Sequence, residues 1–216
     1  MTTQSIRVYK DLMGENEKWA AATRKVLAER KLAMINLIGS PGSGKTSLIE
    51  STARRLGNRF RAAVLEGDVE TTRDAERIAA VNLPVSQLLT GGACHLEAKL
   101  VHQALLDLPT DNFDLVIVEN VGNMVCPAEF DIGEHAKVAV LSVTEGEDKP
   151  LKYPLLFREA KAVVLTKMDL LPHLQFDLAA CEAFVRQVNA AVPIFKVSAQ
   201  SGEGLAAWVE WLPKGK

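Results

Sequence analysis

The sequence predicts an α/β protein built on a doubly wound, mostly parallel sheet flanked by helices, and two observations carry that expectation. From Ala33 onward, short apolar runs alternate with stretches of helical periodicity, and a parallel crossover needs a connection of helix length. Runs such as LVIVEN and VAVLSV are almost continuously apolar rather than alternating, as strands are when helices cover both faces of their sheet.

The elements follow in order. Glu15–Lys31 sets Trp19, Ala22, Val26 and Leu27 near one helical face with charges elsewhere, which predicts an amphipathic helix packed across the domain or against a second subunit. Strands are expected at Met34–Gly39, Arg61–Glu66, Val85–Leu89, Asp114–Asn120, Lys137–Val143, Ala162–Lys167 and Ile194–Ser198. Helices are expected between them at Lys45–Leu56, Thr72–Val81, Cys94–Leu108 and Phe176–Ala191, with a last one at Leu205–Leu212. No repeat, low-complexity tract or domain-sized linker interrupts the pattern. The expected organisation is an N-terminal helical extension, residues 1–32, followed by one α/β domain, residues 33–216. In such folds ligands sit beyond the carboxyl ends of the strands.

Composition excludes several classes. A chain of 216 residues with 48 % hydrophobic and 24 % charged residues is ordinary globular protein. A net charge of −2 with no basic run argues against nucleic-acid and anionic-membrane partners. No apolar stretch approaches the ~20 residues that span a bilayer. MTTQSIRVYKDLMGENEKWAAA has no apolar core before a cleavage site, so the expected compartment is the cytoplasm. Three cysteines do not make a disulfide framework.

Gly39-Ser-Pro-Gly42-Ser43-Gly44-Lys45-Thr46, followed by Ser47, fits G-x-x-x-x-G-K-[ST] between an apolar strand and a helix. Its backbone N–H groups can wrap phosphate, aided by the helix N-terminus. Lys45 would reach the β- and γ-phosphates and Thr46 would ligate Mg²⁺. The fold is thus expected to be that of a P-loop NTPase.

Thr166-Lys167-Met168-Asp169 resembles the N/T-K-x-D element that reads guanine. The Asp169 carboxylate can accept from guanine N1–H and the exocyclic amine, a donor pair that adenine lacks. Lys167 can lay its stem over the purine, and Ser198-Ala199 resembles the loop whose N–H meets guanine O6. Thr166 stands where Asn is commoner, with the loss of an amide. GTP and GDP are therefore the expected nucleotides.

Glu66-Gly67-Asp68 and Glu119-Asn-Val-Gly122 close two strands. Asp68 is a candidate for Mg²⁺ or for orienting the attacking water, Glu119 for a Mg²⁺-bound water, and the Gly122 N–H for the γ-phosphate. Asn123 follows Gly122 where a glutamine would assist hydrolysis, and no arginine is clearly placed as a finger, although Arg73 and Arg77 are near. Slow intrinsic hydrolysis is expected, as in a timer.

Cys94-His95 is expected to begin the helix after the third strand, and Cys126 to lie in the loop after the fourth. Both belong to the carboxyl edge, so they can converge. Two thiolates and an imidazole suit Zn²⁺ or Ni²⁺ rather than Mg²⁺ or Ca²⁺. Three ligands leave the site open, or let two subunits share a bridged one; buried structural cysteines are the alternative. Cys126 lies four residues beyond Gly122, so the γ-phosphate and the metal can act on one segment. Cys181 is expected in the core. His102, seven residues after His95, is expected on the same helical face as a surface or supporting residue.

The strings GSPGSGKTSL, EGDVETTRDAERI, GGACHLEAKLV, ENVGNMVCPAEFDIGE, VAVLSVTEGEDKPLKYP, KMDLLP and SAQSGEGL resemble the hydrogenase nickel-incorporation GTPases, the HypB family, from about Met34 to Trp211. The resemblance implies a SIMIBI-like GTPase fold and a homodimer dependent on nucleotide or metal. It implies Ni²⁺ or Zn²⁺ on Cys94, His95 and Cys126 at or near the subunit interface. It further implies nickel delivery to the precursor of a [NiFe]-hydrogenase large subunit with a HypA-type chaperone, and a contribution of Lys149 and Lys152 to the nucleotide site or dimer contact. Urease-maturation relatives carry Cys-Pro-His instead and are the alternative, beside a GTP-dependent scaffold with structural zinc. No cysteine cluster or histidine-rich tract precedes Gly39, so the domain site is expected to do the metal work.

Overall fold

The computed structural model describes residues 3–57, 61–68, 72–109 and 113–213, with side chains in the first helix from Met13 onward. Seven strands form one sheet: β1 (Ala33–Ile38), β2 (Ala62–Asp68), β3 (Val85–Leu89), β4 (Leu115–Glu119), β5 (Ala136–Ser142), β6 (Ala162–Thr166) and β7 (Ile194–Lys196). Their spatial order is β3-β2-β4-β1-β5-β6-β7, and every pairing is parallel. The longer helices are α1 (Thr3–Glu29), α2 (Lys45–Leu56), α3 (Arg73–Ala80), α4 (Ala98–Asp107), α8 (Leu178–Val188) and α9 (Leu205–Trp211). Three short ones, α5 (Cys126–Glu129), α6 (Lys149–Lys152) and α7 (Pro154–Glu159), lie between β4 and β6.

All positions of β1, β4 and β6 are buried, which is why these strands read as continuous apolar runs. On one face Ile35, Leu37, Val64, Ile117, Val138 and Val164 pack with Leu48 and Ile49 of α2 and Trp208 of α9. On the other, Met34, Leu65, Val116 and Val118 meet Leu27 of α1 and Val101 and Leu105 of α4. That second layer continues beyond β1, where Ala139, Leu141, Val163 and Leu165 pack with Phe157 of α7 and Val185 of α8.

The expected strands are present with ends shifted by one or two residues. β2 runs on to Asp68 because its ladder with β3 continues to the Asp68–Leu89 pair, past the end of the apolar run. The first helix begins at Thr3, well before Glu15. Its inner face is Ala20, Thr23 and Leu27, with Trp19, Ala22 and Val26 half-buried, and it packs across the domain on α4.

The expectation of a helix from Cys94 is corrected: residues 93–97 are non-helical and α4 begins at Ala98. Glu97 is extended, which stops a helix from running through it into α4, and the Leu96 N–H donates to the Asn120 side chain at 3.2 Å, which ties this segment to the sheet edge. The same-face argument for His102 lapses with it. His102 instead packs on the Trp19 ring, at 5.2 Å between centroids. Among the described residues no helix is long and apolar enough to cross a membrane.

α1 is seated on Gly133, whose φ is +89° and whose hypothetical Cβ would lie 2.7 Å from both the Ala20 carbonyl oxygen and Thr23 Cβ. Gly133→Ala is expected to destabilise the protein by more than ~1 kcal/mol through strain and displacement of α1. A denaturant midpoint equal to that of the wild type would show that α1 is not held there.

Candidate nucleotide and metal site

The loop between β1 and α2 turns at the carboxyl edge, beside the ends of β4 and β2. Lys45 is buried, with Nζ donating to the carbonyls of Gly39 (3.3 Å) and Ser40 (3.2 Å). Burial lowers its pKa, against the opposing pull of Glu119. Thr46 Oγ1 donates to Glu119 Oε1 at 2.8 Å. Gly122 closes on the loop: a Cβ there would stand 2.8 Å from Pro41 Cγ.

Glu66 and Glu119 are register partners on adjacent strands, 2 % and 5 % exposed. One oxygen of each, Oε2, has no hydrogen-bond partner among the described residues. Burial, then the neighbouring Glu119 and Asp68, pushes the Glu66 carboxyl up to about 8. Burial raises Glu119 to about 7, opposed by Lys45 and by the Thr46 hydrogen bond. Two partnerless carboxylate oxygens beside a threonine hydroxyl are the donor chemistry of a hard divalent cation, and the residues fit Mg²⁺.

These groups line a cleft of about 480 Å³ with Gly42, Gly44, Ser47, Asp68, Asp74, Arg77, Gly122 and Lys167. Arg77 is held to its wall by Glu50 and Asp74, each at 3.0 Å, and by Ser47 Oγ at 3.1 Å. Gly39 and Ser43 belong to the loop but do not line the cleft, and Ser43 is fully buried.

A second cleft, of about 340 Å³, shares Gly44, Ser47 and Lys167 with the first and continues over Thr166, Asp169, Leu170, Val197 and Ala199. Asp169 Oδ1 accepts from Ser198 Oγ at 2.6 Å. Lys167 holds a left-handed backbone (φ 59°), and its Nζ donates to the Gly42 carbonyl at 2.7 Å. Thr166, which lacks the usual amide, donates its hydroxyl to the Ser43 carbonyl at 2.5 Å and so braces the phosphate loop directly. Lys149 and Lys152 pair with Glu145 and Asp148 and line neither cleft.

Cys94, His95 and Cys126 converge as expected, their donor atoms within 4.8 Å of one another. Cys126 opens α5 rather than lying in open loop. Cys94 Sγ is 3.7 Å from His95 Nδ1, and the His95 ring stacks on Phe130 at 3.9 Å. Burial lowers the His95 pKa, which favours the neutral, ligating imidazole. Contact with the Cys126 thiol, more than burial, raises the Cys94 thiol. Two soft sulfurs and one nitrogen suit zinc or nickel, and Cys94 is exposed. Cys181 is a core residue, its thiol pushed up to about 12 by burial.

Sequence reasoning did not assign Glu66, Asn120, Asp74 or the bracing role of Thr166. The spacing of Glu66 and Asp68, two apart on one strand and therefore on one face, was the available signal for the first. Asn120 and Thr166 act through the backbone of other segments, which no local spacing reveals.

The family description "CobW/HypB/UreG, nucleotide-binding domain" matches residues 33–196. The hydrogenase maturation factor HypB of Azotobacter vinelandii is 49 % identical over 212 residues, spanning 98 % of this chain and 70 % of that protein. The crystal structure of HypB from Helicobacter pylori in complex with nickel superposes with a TM-score of 0.87 at 34 % identity, covering 91 % of this chain and 93 % of that one. HypB from Archaeoglobus fulgidus gives 0.85 at 35 % identity, over 92 % and 97 %.

Glu66 and Glu119 hold protons more tightly folded than unfolded, where the usual value is 4.5. Their contribution to stability is complete below that value and is lost as pH rises through about 7 and about 8. Nucleotide-free, Mg²⁺-free protein is therefore expected to lose stability over this window. Glu66→Gln should gain on the wild type steadily from about pH 5 to about pH 9 in urea denaturation. A gap independent of pH would mean that Glu66 stays ionised throughout.

Proposed function

This chain belongs to the CobW/HypB/UreG family and within it to the HypB hydrogenase maturation factors, whose members are GTPases; from that premise we propose that it is a GTP-hydrolysing metallochaperone for nickel. It supports nickel insertion into the large-subunit precursor of a [NiFe]-hydrogenase, in the cytoplasm, with a HypA-type chaperone and as a homodimer. One observation carries the reading: the Cys94–His95–Cys126 donor set converges, and its Cys126 lies on the segment that begins at Glu119 and packs on the phosphate loop through Gly122.

GTP lies along the joined clefts. Asp169 accepts from the guanine N1–H and exocyclic amine, its orientation held by Ser198. Lys167 covers the purine, and the backbone at Ala199 meets O6. Lys45 leaves the Gly39 and Ser40 carbonyls to bind the β- and γ-phosphates, supported by the backbone around Gly42, Ser43 and Gly44. When bound, Mg²⁺ supplies charge neutralisation on the β- and γ-oxygens. Thr46, Asp68 and Glu119 would hold it, directly or through water, with the Glu66 carboxyl beside Glu119. Asp68 orients the attacking water and the Gly122 N–H meets the γ-phosphate. Arg77 is committed to Glu50 and Asp74, and no glutamine follows Gly122, which keeps intrinsic hydrolysis slow.

Nickel is cargo. Three donors per chain leave coordination positions for a giver or receiver, whereas a structural zinc site is closed by four protein ligands. Among the described residues no fourth histidine, cysteine or carboxylate joins the group. Zinc competes for the same donors.

Asp169→Asn is expected to cost about 10²-fold or more in GTP affinity, because an amide cannot accept from both guanine donors; near-normal GTP binding would reject the assigned base site. Cys126→Ala is expected to weaken nickel binding more than about tenfold, or ~1.4 kcal/mol, with GTP binding and folding retained. Loss of folding instead would favour a structural metal.

A further inference from the structure

The metal loop is tied to the phosphate-facing segment at two points, both through asparagine side chains. Asn120 follows Glu119, and its Oδ1 accepts from the Leu96 N–H at 3.2 Å and from its neighbour Val121 at 3.0 Å. Its Nδ2 donates to Asn36 Oδ1 at 3.1 Å, and Asn36 in turn donates to Glu134 Oε1 at 3.3 Å. Asn36 and Asn120 are essentially inaccessible to solvent. Two backbone N–H groups aimed at one atom fix which end of the Asn120 amide is oxygen, and a buried network with its amides satisfied is rigid.

Asn123 makes the second tie. Its Oδ1 accepts from Val125 N–H at 2.8 Å, which leaves Nδ2 to donate to the Cys94 carbonyl at 3.3 Å. The Asn123 backbone bridges Gly39 at the start of the phosphate loop, and Gly122 beside it packs on Pro41. The same loop also rests on the end of β2: a Cβ at Gly67 would lie 2.8 Å from Leu96 Cδ1. Cys94–Leu96 is thereby held between the two segments that face the phosphates.

We propose that Asn120 and Asn123 form a two-point clamp that carries the nucleotide state into the metal site, making them positioning residues for nickel. Asn120 anchors Leu96 to the rigid sheet edge as a pivot. Asn123 moves with Gly122 when the γ-phosphate is bound or lost and draws the Cys94 carbonyl with it. Cys126, on the same segment, moves too, so both sulfurs shift about a fixed pivot and the fit to the ion changes. This rests on the reading of the clefts as a GTP site and of Cys94, His95 and Cys126 as a nickel site.

The test is nickel affinity by chelator competition, with GDP and with a non-hydrolysable GTP analogue. Asn123→Asp is the main variant: it keeps an oxygen for Val125, removes the donor to Cys94 and adds a negative charge beside it. Asn120→Ala is the second. The wild type is expected to show a ratio of about tenfold or more between the nucleotide states, and each variant a ratio within about twofold. Affinity with GDP should fall far less than in Cys126→Ala. A wild-type ratio preserved in Asn123→Asp overturns the clamp and leaves the proposed function standing. A wild-type protein that binds nickel equally in both states removes nucleotide gating and the clamp together, and one that binds no nickel removes the metal reading itself.

Discussion

The carboxyl edge of the sheet is organised around a repulsion. Glu66 and Glu119 stand side by side because β2 and β4 are parallel and in register at that position. Both side chains are buried, and each keeps one oxygen without a partner. Such a pair is costly unless a proton or a cation sits between the charges. Lys45 relieves part of the cost but spends its hydrogen bonds on the Gly39 and Ser40 carbonyls. The edge is left electrostatically incomplete, in a state that a divalent cation with a polyphosphate would complete.

The strand order decides what else can be brought to this edge. β1 lies between β4 and β5, so the phosphate loop emerges with the Glu119 segment on one flank and the ends of β5 and β6 on the other. The base cleft extends to the second flank and the metal cluster to the first. Thr166 and Asn123 brace the loop from opposite sides, one through the Ser43 carbonyl and the other through the bridge to Gly39. A ligand that shifts the loop is therefore felt along both flanks without any large rearrangement.

Much of this was legible in the residue order, for a physical reason: the phosphate loop, the T-K-x-D element and the buried parallel strands are each local in sequence. Asp169, Lys167, Lys45 and Thr46 all line the expected clefts. The Cys94–His95–Cys126 group was legible only because its members follow strands that end on the same edge. What could not be read was non-local. Glu66 acquires its character from the register of a neighbouring strand. Asn120 and Asn123 look like turn asparagines until their partners arrive from residues 94–96. The helix expected from Cys94 failed because periodicity counts apolar positions and does not register the extended backbone of Glu97.

That failure bears on how the proposed metal site would work. In a helix starting at Cys94, the carbonyls of Cys94 and His95 would be committed to i→i+4 bonds and their side chains carried rigidly by α4. In the non-helical segment before Ala98 the Cys94 carbonyl is free to accept from Asn123, while the Leu96 N–H donates to Asn120, and both partners belong to the chain that faces the phosphates. The two ties differ in kind. The Leu96 tie is buried and part of a continuous network through Asn36 to Glu134, whereas the Cys94 tie is at the surface. A buried hydrogen bond resists exchange with water more than an exposed one, so the segment is stiff at Leu96 and compliant at Cys94. Cys94 is also the most exposed of the three donors, and the compliance is greatest at the ligand an incoming partner would reach first.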